Sequence, residues 1–166
     1  MFSMYDATIP PITRILNNLS SVLKKAQDHA DAKKIDTSVL VAARLFPDMY
    51  PLNRQVQIAT DMSKGAAARL AGVEIPKYED NETTFDDLQA RIAKTIAFLE
   101  SIKPEQLADA ETRHISITVG KTELAFTGQQ YLLKWVNPNV YFHVTTAYNI
   151  LRHNGVELSK SDYLGK

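Results

Sequence analysis

Four times along this sequence, apolar side chains recur at intervals of three and four residues, each run bounded by proline, glycine or a capping residue. That spacing confines the chain to amphipathic helices whose apolar stripes must be buried against one another. Ile12, Ile15, Leu16, Leu19, Leu23 and Ala26 form the first stripe. The pair Pro10-Pro11 is expected to start it, because the amides of a first turn have no intrahelical partner to lose. Leu52, Val56, Ala59, Ser63, Ala66 and Leu70 form the second, beginning after Pro51 and stopping at Gly72. Phe85, Leu88, Ile92, Ile96 and Leu99 form the third, with Thr84 as cap, Asp86 and Asp87 in the first turn, and an end before Pro104. Val140, Val144, Ala147 and Leu151 form the fourth, with Asn137 as cap, Pro138 in the first turn and Asn154-Gly155 at the end. A short helix over about 38–44, closed by Phe46-Pro47-Asp48, separates the first two.

Between the third and fourth stripes the period changes to two. Residues 114–126 alternate, and Gly120-Lys121 suits a two-residue hairpin turn. That turn opposes Ile117 to Leu124 and Ile115 to Phe126 on one face, and Ser116 to Ala125 and Thr118 to Glu123 on the other. One side is apolar and one polar, as required of a hairpin laid on helices. Residues 129–136 fit either a short helix or an extended connection, and the tail to Lys166 reads as a surface strap held by Tyr163 and Leu164. The expected class is all-α, a four-helix bundle with a small β-hairpin before the last helix, in a single domain over residues 1–166.

Composition removes several functions. Lysine and arginine together number 19 and aspartate and glutamate 19, so there is no basic surplus to neutralise phosphates, and a nucleic-acid partner is not expected. No stretch approaches the roughly 20 apolar residues that cross a bilayer, so no membrane partner is expected either. The N-terminus, Met1-Phe2-Ser3-Met4-Tyr5-Asp6, lacks the basic and apolar segments of a secretory leader. The absence of cysteine excludes disulfides, thiolate metal sites and thiol nucleophiles, and fits a cytoplasmic protein.

Of the four histidines, His143 is the informative one. It lies three residues after Val140 and four before Ala147, on the inward stripe of the last helix, where an imidazole needs a partner. Gln55, three residues after Leu52, is placed similarly on the second long helix, whereas Gln57 and Asp61 are expected to point outward. If those two helices are neighbours, Gln55 and His143 share a polar pocket. His143 then reads as a core or pocket histidine, a metal ligand, or a catalytic acid or base. His114 falls on the polar face of the hairpin, and His29 and His153 lie near helix C-termini, where their charge suits the dipole. Asp80, Glu82, Asp86 and Asp87 read as a solvated acidic helix entrance. Tyr131 and Trp135 suit either a pocket mouth or ordinary aromatic packing. Neither a phosphate-binding glycine loop nor a serine or threonine nucleophile with a base is evident.

Three stretches carry a family resemblance: Arg44-Leu45-Phe46-Pro47-Asp48-Met49-Tyr50-Pro51-Leu52 running on through Gln55-Val56-Gln57-Ile58-Ala59 to Asp61; Glu79-Asp80-Asn81-Glu82-Thr83-Thr84-Phe85; and Phe142-His143-Val144-Thr145-Thr146-Ala147-Tyr148-Asn149-Ile150-Leu151-Arg152-His153-Asn154-Gly155. They resemble the family called domain of unknown function 1993, grouped with the DinB/YfiT-like superfamily of four-helix-bundle metalloenzymes. The resemblance implies a long crossover between the second and third helices, often a homodimer, and a divalent metal such as zinc or nickel. The family's usual metal site has one histidine on the second helix and two spaced by four on the last.

Here that pattern is broken. His143 matches one histidine of the last-helix pair, but Ala147 stands four residues on, and no histidine lies between Pro47 and Gly72. A complete three-histidine site is therefore not expected, and an empty metal position is favoured over an occupied one. Two functions follow. One is a metal-dependent or small-molecule-binding enzyme with a degenerate site centred on His143, which would be its catalytic residue and its remaining metal ligand. The other is a non-catalytic dimeric binding or scaffold protein whose site has been lost.

Overall fold

The first helix begins six residues ahead of the proline pair expected to start it. In the computed structural model, which describes residues 3–166, α1 spans Met4–Lys33; Met1 and Phe2, part of the segment read above for a leader, lie outside the described residues. Ser3 is the cap: its hydroxyl accepts from the Asp6 amide at 3.1 Å, and the Asp6 carboxylate accepts from the Ser3 amide at 3.2 Å. This capping box outweighs the proline signal. Pro10 and Pro11 sit inside the helix, where they remove the donors that would have reached the Asp6 and Ala7 carbonyls. Burial of Thr8, Ile9 and Ile12 on the adjoining turns holds the helix through that gap.

A short helix, α2 (Thr37–Val41), capped by Asp36, leads to α3 (Leu52–Ala71), which ends at Gly72 in the left-handed region at φ 70°. The next helix, α4 (Phe85–Ser101), starts from a Thr84–Asp87 capping box as expected. After a 3-10 turn (Pro104–Leu107) come β1 (His114–Val119) and β2 (Thr122–Thr127), and their antiparallel register is the one derived from the alternation. Gly120, at φ 61°, supplies the positive dihedral that the first turn position needs. Ile115 and Ile117 are buried, so the apolar face of the hairpin lies on the helices.

Residues 129–136 are helical. Thr127 caps α5 (Gly128–Gln130), which passes into a π-helical turn (Tyr131–Val136) and then α6 (Asn137–His153). Asn137 is therefore not a cap: its own backbone is helical, and its amide reaches the Leu132 carbonyl, five residues back. The wider turn falls just before Pro138, which has no amide to continue an ordinary ladder. The chain closes with α7 (Lys160–Leu164), a strap bound to α1 by Asn18 donating to the Tyr163 carbonyl and Arg14 to the Leu164 carbonyl, both at 2.9 Å.

The four long helices pack around one core, with α3 between α4 and α6 and α1 closing against the same two. Adjacent α3 and α4 run parallel, so the chain must return along the bundle before α4 can begin. The extended segment from 72 to 84 makes that return: Tyr78 reaches Lys64, Asp80 reaches Arg54, and the Glu82 carbonyl accepts from Asn53 at 3.2 Å. Twelve extended residues cover about 40 Å, enough to retrace a 20-residue helix of about 30 Å.

Gly128 shows how closely the hairpin is seated. A Cβ there would stand 1.8 Å from the Ala110 carbonyl oxygen. Because that neighbour is backbone, Gly128→Ala should cost about 1–3 kcal/mol in urea-unfolding free energy, whereas Gly120→Asn, at an open turn position, should cost far less.

Candidate functional site

Because α3 and α6 are neighbours, Gln55 and His143 meet. Gln55 is buried, His143 is half-buried, and the ring Nδ1 lies 2.7 Å from Gln55 Oε1. The Gln55 Nε2 donates to the Tyr50 carbonyl at 3.0 Å, which turns the amide oxygen toward the ring. His143 Nδ1 therefore carries the proton and donates, leaving Nε2 as the acceptor. An edge contact with Phe142, with ring centroids 5.2 Å apart, also orients the imidazole. Burial, and secondarily the positive charge of Arg54, holds the His143 pKa below its ordinary value, so the neutral ring is favoured.

The pH consequence has a definite sign. An unfolded chain protonates this histidine near pH 6.5, whereas the folded chain does so only at lower pH. Between those values the unfolded state binds more protons, so stability falls as pH drops through the window. Urea unfolding followed from pH 7.5 downward should show that slope in the wild type and a flatter one in His143→Gln. Imidazole nitrogen shifts at neutral pH should report the Nδ1–H tautomer.

The donor set does not fit the three-histidine metal site that the sequence resemblance implied. Gln55 Oε1 is taken by the histidine it orients, and Ala147, one turn beyond His143, is packed in the core. His114 and His153 are exposed, and His29, near the C-terminal end of α1, lines a separate surface cleft with Lys25, Lys33 and Glu157. Among the described residues, no three histidine, aspartate or glutamate side chains converge as a metal group.

The sequence matches the profile of a domain of unknown function, DUF1993, over residues 4–164. The chain belongs to that family. The fold is similar to the crystal structure of a DinB family member from Shewanella denitrificans at 1.83 Å resolution, with 43% identity, 98% of this chain and 92% of that chain covered, and a TM-score of 0.90. Among curated proteins, none matches this chain. Within this DinB-type fold no helix is long and apolar enough to cross a membrane, among the described residues.

A second polar cluster was missed in the sequence. The Arg91 side chain is fully buried on α4, and its guanidinium donates to both Glu82 oxygens at 2.9 and 3.1 Å, to Asp61 Oδ1 at 2.8 Å, to Thr60 Oγ1 at 2.7 Å and to the Glu79 carbonyl at 3.1 Å. Asp80 lies 3.1 Å from the same group and also pairs with Arg54. Gln57 donates to Glu82 at 2.9 Å. Gln57, expected outside, is therefore buried, and Asp61 is half-buried at the same cluster. Of the acidic entrance, Glu82 is an internal ion-pair partner and Asp80 joins it at the margin, while Asp87 caps α4. Burial works against the Arg91 charge, but the Glu82 hydrogen bonds and the charges of Asp61, Glu82 and Asp80 prevail and raise its pKa above the ordinary value. A detectable signal existed: Arg91 stands three residues after Leu88 and four before Thr95, on an inward stripe where an arginine must find carboxylates.

Truncation of Arg91 to alanine leaves Glu82 buried without its partner and should cost about 3–5 kcal/mol in unfolding free energy. Replacing Arg91 and Glu82 together by apolar residues of similar size should recover a good part of that loss.

Proposed function

We propose that this protein is a DinB-type four-helix bundle that binds a small molecule at His143 and acts on it without a resident three-ligand metal. The observation that carries this reading is the 2.7 Å bond between His143 Nδ1 and Gln55, which fixes the ring and leaves Nε2 as a proton acceptor. A neutral imidazole held by a carbonyl is suited to general-base chemistry near neutral pH, and His143 is the catalytic residue of this reading. Gln55 positions the ring and does not act as a ligand. The same carbonyl-to-imidazole bond orients metal-bound histidines elsewhere, which accounts for its presence in a relative of metalloenzymes. The cysteine-free composition supports a cytoplasmic setting.

Metal content of untagged protein after incubation with excess zinc or nickel tests this directly. Well below one ion per chain is expected, with no change in His143→Ala. Stoichiometric metal that disappears in His143→Ala would overturn the metal-free reading. Compounds that bind at the site should shift the His143 ring signals of the wild type and fail to bind His143→Ala.

A second reading, a dimeric scaffold whose site has been lost, draws on the exposed aromatics beside this position. Tyr50 is 58% and Phe142 57% exposed, unusual for rings next to a packed polar pair. Light scattering should then give twice the 18.6 kDa chain mass, reduced to one copy by Phe142→Asp.

A further inference from the structure

A cleft of about 260 Å³ lies between α3, the return segment, β1 and the π-helical turn. Its apolar walls come from Ile75 and Ile117, and two aromatic rings, Tyr131 and Trp135, complete it. Phe126 fixes both rings, at centroid distances of 6.0 Å from Tyr131 and 6.3 Å from Trp135. The π-helical turn thus delivers two aromatics to one cavity, at a kind of element that recurs at functional sites.

The polar groups of the cleft are unbalanced. Lys64 is buried and satisfied by Asp61 at 2.6 Å. That carboxylate also serves Arg91. Arg69 has no carboxylate partner among the described residues; its one hydrogen bond is NH1 donating to the Tyr131 hydroxyl at 3.1 Å. A guanidinium has five N–H donors, so most of this one is unused. Tyr131 is 1% exposed, and its own O–H has no acceptor among the described residues. Burial raises its pKa, with Arg69 opposing, so the phenol stays a donor at neutral pH. The sequence also leaves space for the guanidinium. Gly65, one turn earlier on α3, would place a Cβ 2.6 Å from Arg69 NH1. Glycine inside a helix is less favourable than alanine, and here it gives the Arg69 head room to lie over the helix.

We propose that this cleft binds a small monocarboxylate with an apolar or aromatic body, its carboxylate held by Arg69 and the Tyr131 hydroxyl and its body between Trp135 and the isoleucines. A carboxylate supplies the planar acceptor that a guanidinium fork matches, and it takes the unused phenol proton as a third bond. The volume is below that of drug-sized pockets, which suits a ligand of this size. The cleft is separate from the Gln55–His143 pair, and its ligand does not depend on that reading.

Trp135 is the only tryptophan, so its fluorescence reports occupancy. Phenylacetate titrated into the full-length protein should give a saturable change at micromolar to low-millimolar concentration. Phenylacetamide, of the same shape but uncharged, should bind at least tenfold more weakly. Arg69→Gln should weaken phenylacetate binding at least tenfold and Tyr131→Phe several-fold, while His143→Ala leaves it unchanged. If Arg69→Gln does not fold, the comparison of phenylacetate with phenylacetamide on the wild type decides the matter. No saturable change, equal affinity for the amide, or a folded Arg69→Gln that binds as well as the wild type would each overturn the proposal.

Discussion

The geometry of this molecule depends on the buried Arg91 charge. Parallel α3 and α4 oblige the chain to return along the bundle, and the return segment forms no backbone ladder of its own. Its attachment is through side chains: Glu82 and Asp80 to Arg91, and the Glu79 carbonyl to the same guanidinium. Tyr78 sits among three cations, with Lys94 and Lys64 at 4.1 and 4.2 Å and the Arg91 head at 5.3 Å from its ring. Glu82 and Arg91 are costly to desolvate separately and are retained together because each supplies the other's missing hydration. The arginine thus joins α4, α3 and the segment between them at one point.

That attachment explains why Gln57 and Asp61 are covered on a face of α3 that periodicity places outward. A stripe analysis assumes one face toward a core and the other toward water. The return segment lies on the outward side of α3, so Gln57 is covered even though it falls off the apolar stripe. Periodicity reports where apolar residues are, and it is silent about a polar segment that covers a polar face. The apolar stripes, the Gly72 and Thr84 boundaries and the hairpin register were legible because each has a local cause. The beginning of α1 was not, because proline is compatible with a helix start without requiring one, and the Ser3–Asp6 box is the stronger determinant. The start assigned at Asn137 failed for a related reason: the π-helical turn carries the helix straight up to Pro138.

The inward placement of Gln55 and His143 was legible, but their pairing was legible only on condition that α3 and α6 are neighbours, which no stripe reports. Its meaning was not, because one imidazole in a bundle serves hydrogen bonding, catalysis or ligation equally well. What separates these uses is the number of donors that converge. Here Gln55 uses its oxygen on the ring and one N–H on Tyr50, so it orients the imidazole, and His143 Nε2 is the one strong nitrogen donor left at the pair. One histidine held by one amide has the means to position a proton acceptor, but falls short of the three protein ligands that a catalytic zinc site uses.

One helix therefore serves three polar environments along its length. Near its N-terminus α3 supplies Gln55 to His143; in the middle it supplies Gln57, Thr60 and Asp61 to Arg91 and Glu82; toward its C-terminus it supplies Lys64, Gly65 and Arg69 to the aromatic cleft. The second is closed, in that its donors and acceptors answer one another, whereas the first keeps one free acceptor, His143 Nε2. The third is open, because Arg69 and Tyr131 together have more donors than acceptors. Arg69 is half-buried, so water meets its free N–H groups when the cleft is empty, and a carboxylate entering the cleft would replace that water on a fork of donors already in place. The free donors of Arg69 and Tyr131, which no apolar stripe registers, are what the proposed carboxylate would meet, toward the other end of α3 from the free acceptor on His143.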